Sequence, residues 1–331
     1  MTDLDFKTFA ASGPAFRAIE EIGPIDWDLW RTAADRLGQD LAGATDLPRR
    51  IHHLYVPVLL FAVAQARASA KRPVFVGIQA PQGGGKTTLV SHVLGLLSEA
   101  GLRGTGVSID DFYLTRQEQL ALAEAHPGNP YLEHRGYPGT HDIDLGVSTL
   151  TALAGLGPGE SERVARVPVY DKSAHGGRGD RAPDAQWRNV ASPLDLVFVE
   201  GWMFGFSPVA DSSIGDLYFK EPNRVLGRYE TWYQFLDAFV ALRAVDPNFV
   251  LKWRVEAEEA AKAKGKPGLD RAAIEDYVRR FLPAYARYAG GVPANVPADR
   301  RLVIGLDEQR RPVRAPGTDA VEREQSTTWN T

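Results

Sequence analysis

Two hydrophobic periods organise the chain. Residues 1–72 carry helical spacing: Ile25-Asp26-Trp27-Asp28-Leu29-Trp30 opens one amphipathic segment and residues 51–68 form another, stopped by Pro73. Val74-Phe75-Val76-Gly77-Ile78 is a short apolar run rich in β-branched residues, which predicts a buried strand. A glycine-rich turn follows, and residues 87–100 return to helical spacing until Gly101. Further strands are predicted at 106–109, 164–170, 194–199 and 302–306. Helices are predicted at 116–125, 145–156, 250–263 and 272–288. Residues 228–244, with Tyr229, Trp232, Tyr233, Phe235, Leu236, Phe239 and Val240, read as one aromatic-rich helix facing the core. Short apolar strands alternating with helices argue for an α/β fold, a parallel sheet with helices on both faces and extra N- and C-terminal helices. The expected organisation is a helical extension over 1–72 packed on the core, a main domain over 73–315 and a polar, disordered tail over 316–331.

Composition narrows the function classes. A 331-residue chain with 44% hydrophobic and 24% charged residues has the makings of a large core. A net charge of −4 gives no footprint for nucleic acid, so an anionic substrate must be met by local cations. The absence of cysteine excludes disulfides, thiolate zinc sites and a thiol nucleophile, and fits a cytoplasmic setting. No basic segment followed by an apolar core opens the chain, and the most apolar stretch, 55–66, is shorter than the roughly 20 residues that span a bilayer.

The strongest motif is Ala80-Pro81-Gln82-Gly83-Gly84-Gly85-Lys86-Thr87-Thr88, placed after an apolar strand and before a helix. It matches the phosphate-binding pattern G-x-x-x-x-G-K-[ST] except that Ala80 stands at the first glycine. Alanine there is tolerated if its φ is negative. The chemistry explains the residue types. Gly83, Gly84 and Gly85 let backbone N–H groups point at phosphate oxygens, and the helix beginning near Thr87 and Thr88 offers its N-terminal partial charge. Lys86 is placed for the terminal phosphates of ATP and Thr87 for Mg²⁺.

Two acids end neighbouring strands, in Ser108-Ile109-Asp110-Asp111-Phe112-Tyr113 and in Val199-Glu200-Gly201-Trp202. Ligands of open α/β sheets lie beyond the carboxyl ends of the strands, so both acids face the phosphates. Asp110 is assigned to orient or deprotonate an acceptor hydroxyl, and Glu200 to hold the metal. Asp111 is the candidate for a cap at the strand end. An acid after a fully apolar run is costly to bury without a purpose.

Residues 168–181 pack Tyr170, Asp171, Lys172, His175, Arg178 and Arg181 among glycines. Such a loop is suited to closing over a phosphoryl group with Arg178 and Arg181 as forks; the plainer alternative is a solvated surface loop. Residues 134–142 carry His134, Arg135 and His141 on the same side of the sheet. They fit either acceptor binding or, for His141 and Asp142, capping of the next helix.

These segments together resemble the D-glycerate 3-kinase family, which is related to phosphoribulokinase, uridine kinase and bacterial pantothenate kinase. The resemblance rests on the phosphate-loop segment, Ser108 to Tyr113, Gly139-Thr140-His141-Asp142, Pro168-Val169-Tyr170-Asp171-Lys172-Ser173-Ala174 with Gly179-Asp180-Arg181, and Glu200-Gly201-Trp202-Met203 with Gly205-Phe206. Trp253-Arg254 and Phe281-Leu282-Pro283-Ala284-Tyr285 extend it towards the glycerate branch. It implies a P-loop core like that of the nucleoside monophosphate kinases, Mg-ATP, and transfer of the γ-phosphoryl to the 3-hydroxyl of D-glycerate. It implies the base role for Asp110 and a substrate-site pattern in Tyr170, Asp171 and His175; beside it, Lys172, Arg135, His141, Arg178 and Arg181 are the local candidates to meet the acceptor carboxylate. Two rivals remain: a kinase for a nucleoside, pantothenate or another sugar acid, and an ATP-driven switch without an acceptor.

Overall fold

The computed structural model describes residues 2–41, 46–159, 161–263, 271–288 and 290–315. The tail expected to be disordered, 316–331, lies outside these residues. Ten strands occur among them: β1 (Val74–Gln79), β2 (Gly104–Ser108), β3 (Val164–Val167), β4 (Tyr170–Asp171), β5 (Asp180–Arg181), β6 (Arg188–Ala191), β7 (Leu196–Gly201), β8 (Ala238–Ala244), β9 (Arg301–Leu306) and β10 (Pro312–Val313). The main sheet has the order β10-β9-β8-β1-β7-β2, parallel throughout except for β10. Every residue of β1 and β7 is buried, as expected of parallel strands covered on both faces.

Each face has its own apolar core. One face holds Val76, Ile78, Val240 and Leu302 against the helices Trp27–Asp40, Val56–Ala68 and Lys86–Leu96, so the N-terminal helices share a core with the sheet. The other face holds Phe75, Val197, Val199 and Phe239 under Trp202, Trp232, Phe281 and Tyr285. The helix over 116–125 is observed as Arg116–Ala125, started by a capping box between Thr115 and Glu118.

Two expectations are corrected. The aromatic segment 228–244 is not one helix: short helical turns end at Tyr233, and 238–244 is the central strand β8 between β1 and β9. Asp237 makes the break. Its carboxylate accepts the Phe75 N–H at 2.9 Å and both of its oxygens pair with Lys71 at 2.9 Å, so the chain joins the sheet there. A short apolar run reads equally as buried helix or buried strand, and its aromatic residues are core in either case. The expected strand 164–170 is two pieces outside the main sheet: β3 pairs β6 and β4 pairs β5, each antiparallel.

Candidate phosphoryl-transfer site

Parallel register brings the chemistry to one end of the sheet. Gln79 of β1 lies level with Gly201, and Ser108 of β2 lies level with Glu200. The glycine loop, Asp110 and Glu200 therefore leave neighbouring strands at the same height. Within the loop, Gly83 and Gly85 have φ of +74° and +87°, and the first-turn N–H groups of the helix Lys86–Leu96 have no intrahelical acceptors. Ala80 is buried and is not among the residues with positive φ, so alanine suits that position.

Glu200 is buried, and its Oε1 accepts the Thr87 hydroxyl proton at 2.8 Å while its Oε2 has no partner. One carboxylate and one hydroxyl are the hard oxygen donors that Mg²⁺ takes when phosphates complete its shell, so these residues fit that ion. No cluster of three or more acidic, histidine or cysteine ligands occurs among the described residues.

Asp110 Oδ2 accepts from Lys172 Nζ at 2.5 Å, while Oδ1 is buried without a partner. Burial pushes its carboxyl up, but Lys172 and Lys86 outweigh that and hold it well below the usual carboxylate range. Its neighbour Asp111 is pushed up to about 6, chiefly by burial, and its Oδ1 accepts the Tyr170 N–H at 3.4 Å. Asp111 is thus no cap at the strand end; Ser108 accepts the Asp110 N–H instead.

His141 is buried and stacks on Tyr113 with ring centroids 4.3 Å apart. Its Nδ1 lies 2.7 Å from the Tyr229 hydroxyl, which accepts the Gly139 N–H, so the tyrosine proton is free to go to Nδ1 and the imidazole proton to Nε2. Burial lowers the His141 pKa to about 3, so the ring is neutral, and Nε2 has no partner. Asp142 caps the following helix through Leu145 N–H at 2.9 Å.

The 168–181 segment is the β4–β5 hairpin, with Tyr170 opposite Arg181. Its tip is held over the site by Lys172 on Asp110 and by Arg135, whose guanidinium donates to the carbonyls of Lys172, Gly177 and Arg178 and lies over the Tyr170 ring. Asp171 accepts from Ser173 N–H and hydroxyl, and His175 Nε2 faces Asp180 at 3.1 Å. Arg181 donates to the Tyr113 carbonyl at 2.9 Å and pairs with Asp142 at 3.1 Å. Arg178 is exposed and touches His134. Lys172 and His141 are thus brought to Asp110, whereas Arg135, Asp171 and His175 are engaged by other groups of the hairpin, and Arg181 is engaged through a terminal nitrogen while its buried Nε has no partner.

Sequence reading gave no role to Trp253, Tyr285 and Arg310. The Tyr285 hydroxyl accepts the Gln82 N–H at 2.9 Å, and Arg310 Nε donates to the Gly83 carbonyl at 2.8 Å. Trp253 and Tyr285 figure in the sequence only within segments of the family resemblance, and for Arg310 the signal is its place in a turn after the carboxyl end of a strand.

Comparison with known proteins agrees with this geometry. No family model matches the chain. The chloroplastic D-glycerate 3-kinase of Arabidopsis thaliana is 36% identical over 334 residues, spanning 94% of this chain and 73% of that enzyme. The kinase mug58 of Schizosaccharomyces pombe is 37% identical over 258 residues, spanning 73% of this chain and 91% of that protein. The solved D-glycerate 3-kinase of Cryptococcus neoformans var. grubii superimposes with a TM-score of 0.71 at 28% identity, covering 77% of this chain and 96% of its own. The chain belongs to the D-glycerate 3-kinase family of ATP-using P-loop kinases.

Proposed function

We propose that the protein transfers the γ-phosphoryl of ATP to the 3-hydroxyl of D-glycerate, giving 3-phosphoglycerate, within a kinase domain over 73–315 that carries the helices of 1–72 as an extension. The observation that carries this reading is that Asp110 Oδ1, His141 Nε2 and Glu200 Oε2, on residues around one phosphate loop, are among the buried polar atoms without partners. Two acceptors and one donor suit a hydroxylated acid beside a metal-bound phosphate. Relatives named for D-glycerate supply the acceptor.

Asp110, already ionised, accepts the proton of the acceptor hydroxyl and aims its oxygen at the phosphorus. Lys172, its side chain 59% exposed, keeps Asp110 charged and has N–H donors left for the acceptor carboxylate, with the His141 Nε2–H as a neutral donor. Lys86 and the loop N–H groups spread over the phosphate oxygens. Thr87 and Glu200 would hold Mg²⁺, which when bound supplies charge neutralisation at those oxygens. Arg178, at the exposed tip, is the cation available to approach the phosphoryl group; Arg135, Tyr170, Asp171, His175 and Arg181 shape the hairpin that carries it. Among the described residues no helix is long and apolar enough to cross a membrane. The proposal extends to action in the cytoplasm on a small-molecule acceptor.

The test is ADP release from Mg-ATP with D-glycerate, uridine, pantothenate or no acceptor. D-glycerate alone is expected to stimulate it; stimulation by another acceptor, or by none, overturns the assignment. Glu200→Gln is expected to raise the Mg²⁺ concentration for half-maximal rate by about tenfold or more, and an unchanged Mg²⁺ titration would remove Glu200 from the metal site. Lys172→Met takes away the cation that opposes burial of Asp110, so the carboxyl pKa rises. The acid limb of kcat/KM, absent near neutrality in the parent, then moves up in pH. A profile that loses height without moving would assign Lys172 to acceptor binding alone.

A further inference from the structure

The turn between β9 and β10 reaches across the sheet end to the phosphate loop. At its tip Arg310 has φ +59°, one of three non-glycine residues with positive φ among those described. A side chain there strains the backbone, and glycine would relieve it. Strain of this kind persists at a site whose surroundings over-determine it.

The guanidinium is engaged on three sides. Nε donates to the Gly83 carbonyl at 2.8 Å, one terminal nitrogen to Glu256 at 2.5 Å and the other to the Trp253 carbonyl at 3.2 Å, and the group lies 5.3 Å from the Trp253 ring centroid. The Gly83–Gly84 peptide is thereby pinned at both ends, because the Gly84 N–H donates to the Pro81 carbonyl at 2.9 Å. The turn itself is docked without Arg310: Trp253 Nε1 donates to the Glu308 carbonyl at 2.7 Å and Lys252 pairs with the Glu308 carboxylate at 3.1 Å. Arg310 is therefore not needed to seat the turn, and its contacts converge on one carbonyl of the nucleotide loop.

We propose that Arg310 is a positioning residue for the nucleotide: it fixes the Gly83 carbonyl outward, so that the loop presents its N–H groups to the phosphates, and it ties that loop to the helix Phe249–Ala263. This rests on the reading of residues 80–88 as the ATP site. Loop and helix then hold one arrangement before ATP arrives, and the ordering is not charged against binding.

Arg310→Gly separates positioning from stability, because glycine relaxes the turn while Trp253 and Lys252 keep it docked. The expected result is an ATP Kd by titration calorimetry raised about tenfold, the loss of one charge-assisted hydrogen bond, with a KM for the acceptor changed by less than about twofold. The melting temperature of the unliganded protein stays close to the parent's. Arg310→Lys, able to reach one of the three acceptors, falls between. Glu256→Gln raises the ATP Kd less, and adds nothing when combined with Arg310→Gly. An ATP Kd for Arg310→Gly within about twofold of the parent overturns the proposal, as does a parallel loss of both affinities with a lowered melting temperature. Binding of ATP is read directly, so the result stands whether or not glycerate is the acceptor, and a parent protein that binds ATP without turning over glycerate would instead undo the acceptor assignment.

Discussion

Asp110→Asn is expected to lose about a thousandfold in kcat while ATP binds nearly as well as to the parent, the loss typical of removing a positioned general base. The geometry makes the prediction specific. Asp110 leaves β2 beside the phosphate loop, has one oxygen paired with Lys172 at 2.5 Å and has the other buried without a partner. Asparagine keeps the shape and removes the negative charge, so the acceptor hydroxyl loses its proton acceptor and Lys172 loses its counter-ion together. Because the P-loop itself is untouched, nucleotide affinity serves as the internal control. A variant that turns over at close to the parent rate would remove Asp110 from the base role and turn attention to Glu200, the other acid with an orphan buried oxygen.

Gly83→Ala is the second large effect, and it acts on the other substrate. A Cβ at this position would lie 2.8 Å from Trp253 Cβ and 2.9 Å from the Trp253 backbone carbon and oxygen, and the residue's φ is +74°. The obstruction includes backbone and the first side-chain carbon, so shortening Trp253 to alanine gives no relief. Alanine in the left-handed region alone costs about 1–2 kcal/mol, and the clash adds to it, so ATP affinity falls by at least about tenfold. Gly101→Ala is the matched comparison: its φ is +69° and nothing lies within 4 Å of an added Cβ, so it carries the strain away from the phosphate loop and leaves ATP affinity unchanged. An ATP affinity for Gly83→Ala equal to the parent's would mean that the contact with Trp253 does not shape the loop.

Much of this site was legible in the sequence because its parts are local. A strand, a glycine turn and a helix in succession specify a phosphate loop within nine residues, and an acid directly after an apolar strand is placed at the sheet end by topology alone. The sheet itself could be read from unbroken apolar runs such as 74–78 and 196–199, since parallel strands buried on both faces carry no alternation. The misreading at 228–244 has the same root. Its part 238–242 is an unbroken apolar run with no period to distinguish helix from strand, and the deciding partner of the preceding Asp237, Phe75, is far away in sequence. Through-space pairings were the other gap. Lys172 meets Asp110 across 62 positions and Arg310 meets Gly83 across 227, and no spacing rule reaches that far. Arg178 and Arg181 look alike in the sequence, yet one is exposed at the hairpin tip and the other is engaged by Asp142 and the Tyr113 carbonyl, a difference set by the β4–β5 pairing.

The central claim is that the γ-phosphoryl of ATP reaches the 3-hydroxyl of D-glycerate at Asp110. Its most direct test is the phosphorus NMR spectrum of a reaction containing the protein, Mg-ATP and D-glycerate. The account predicts a new phosphomonoester resonance split by two methylene protons, growing with ADP and absent with Asp110→Asn. A resonance split by a single proton would place the phosphoryl group on the 2-hydroxyl, and ADP without any new phosphomonoester would contradict transfer to glycerate altogether.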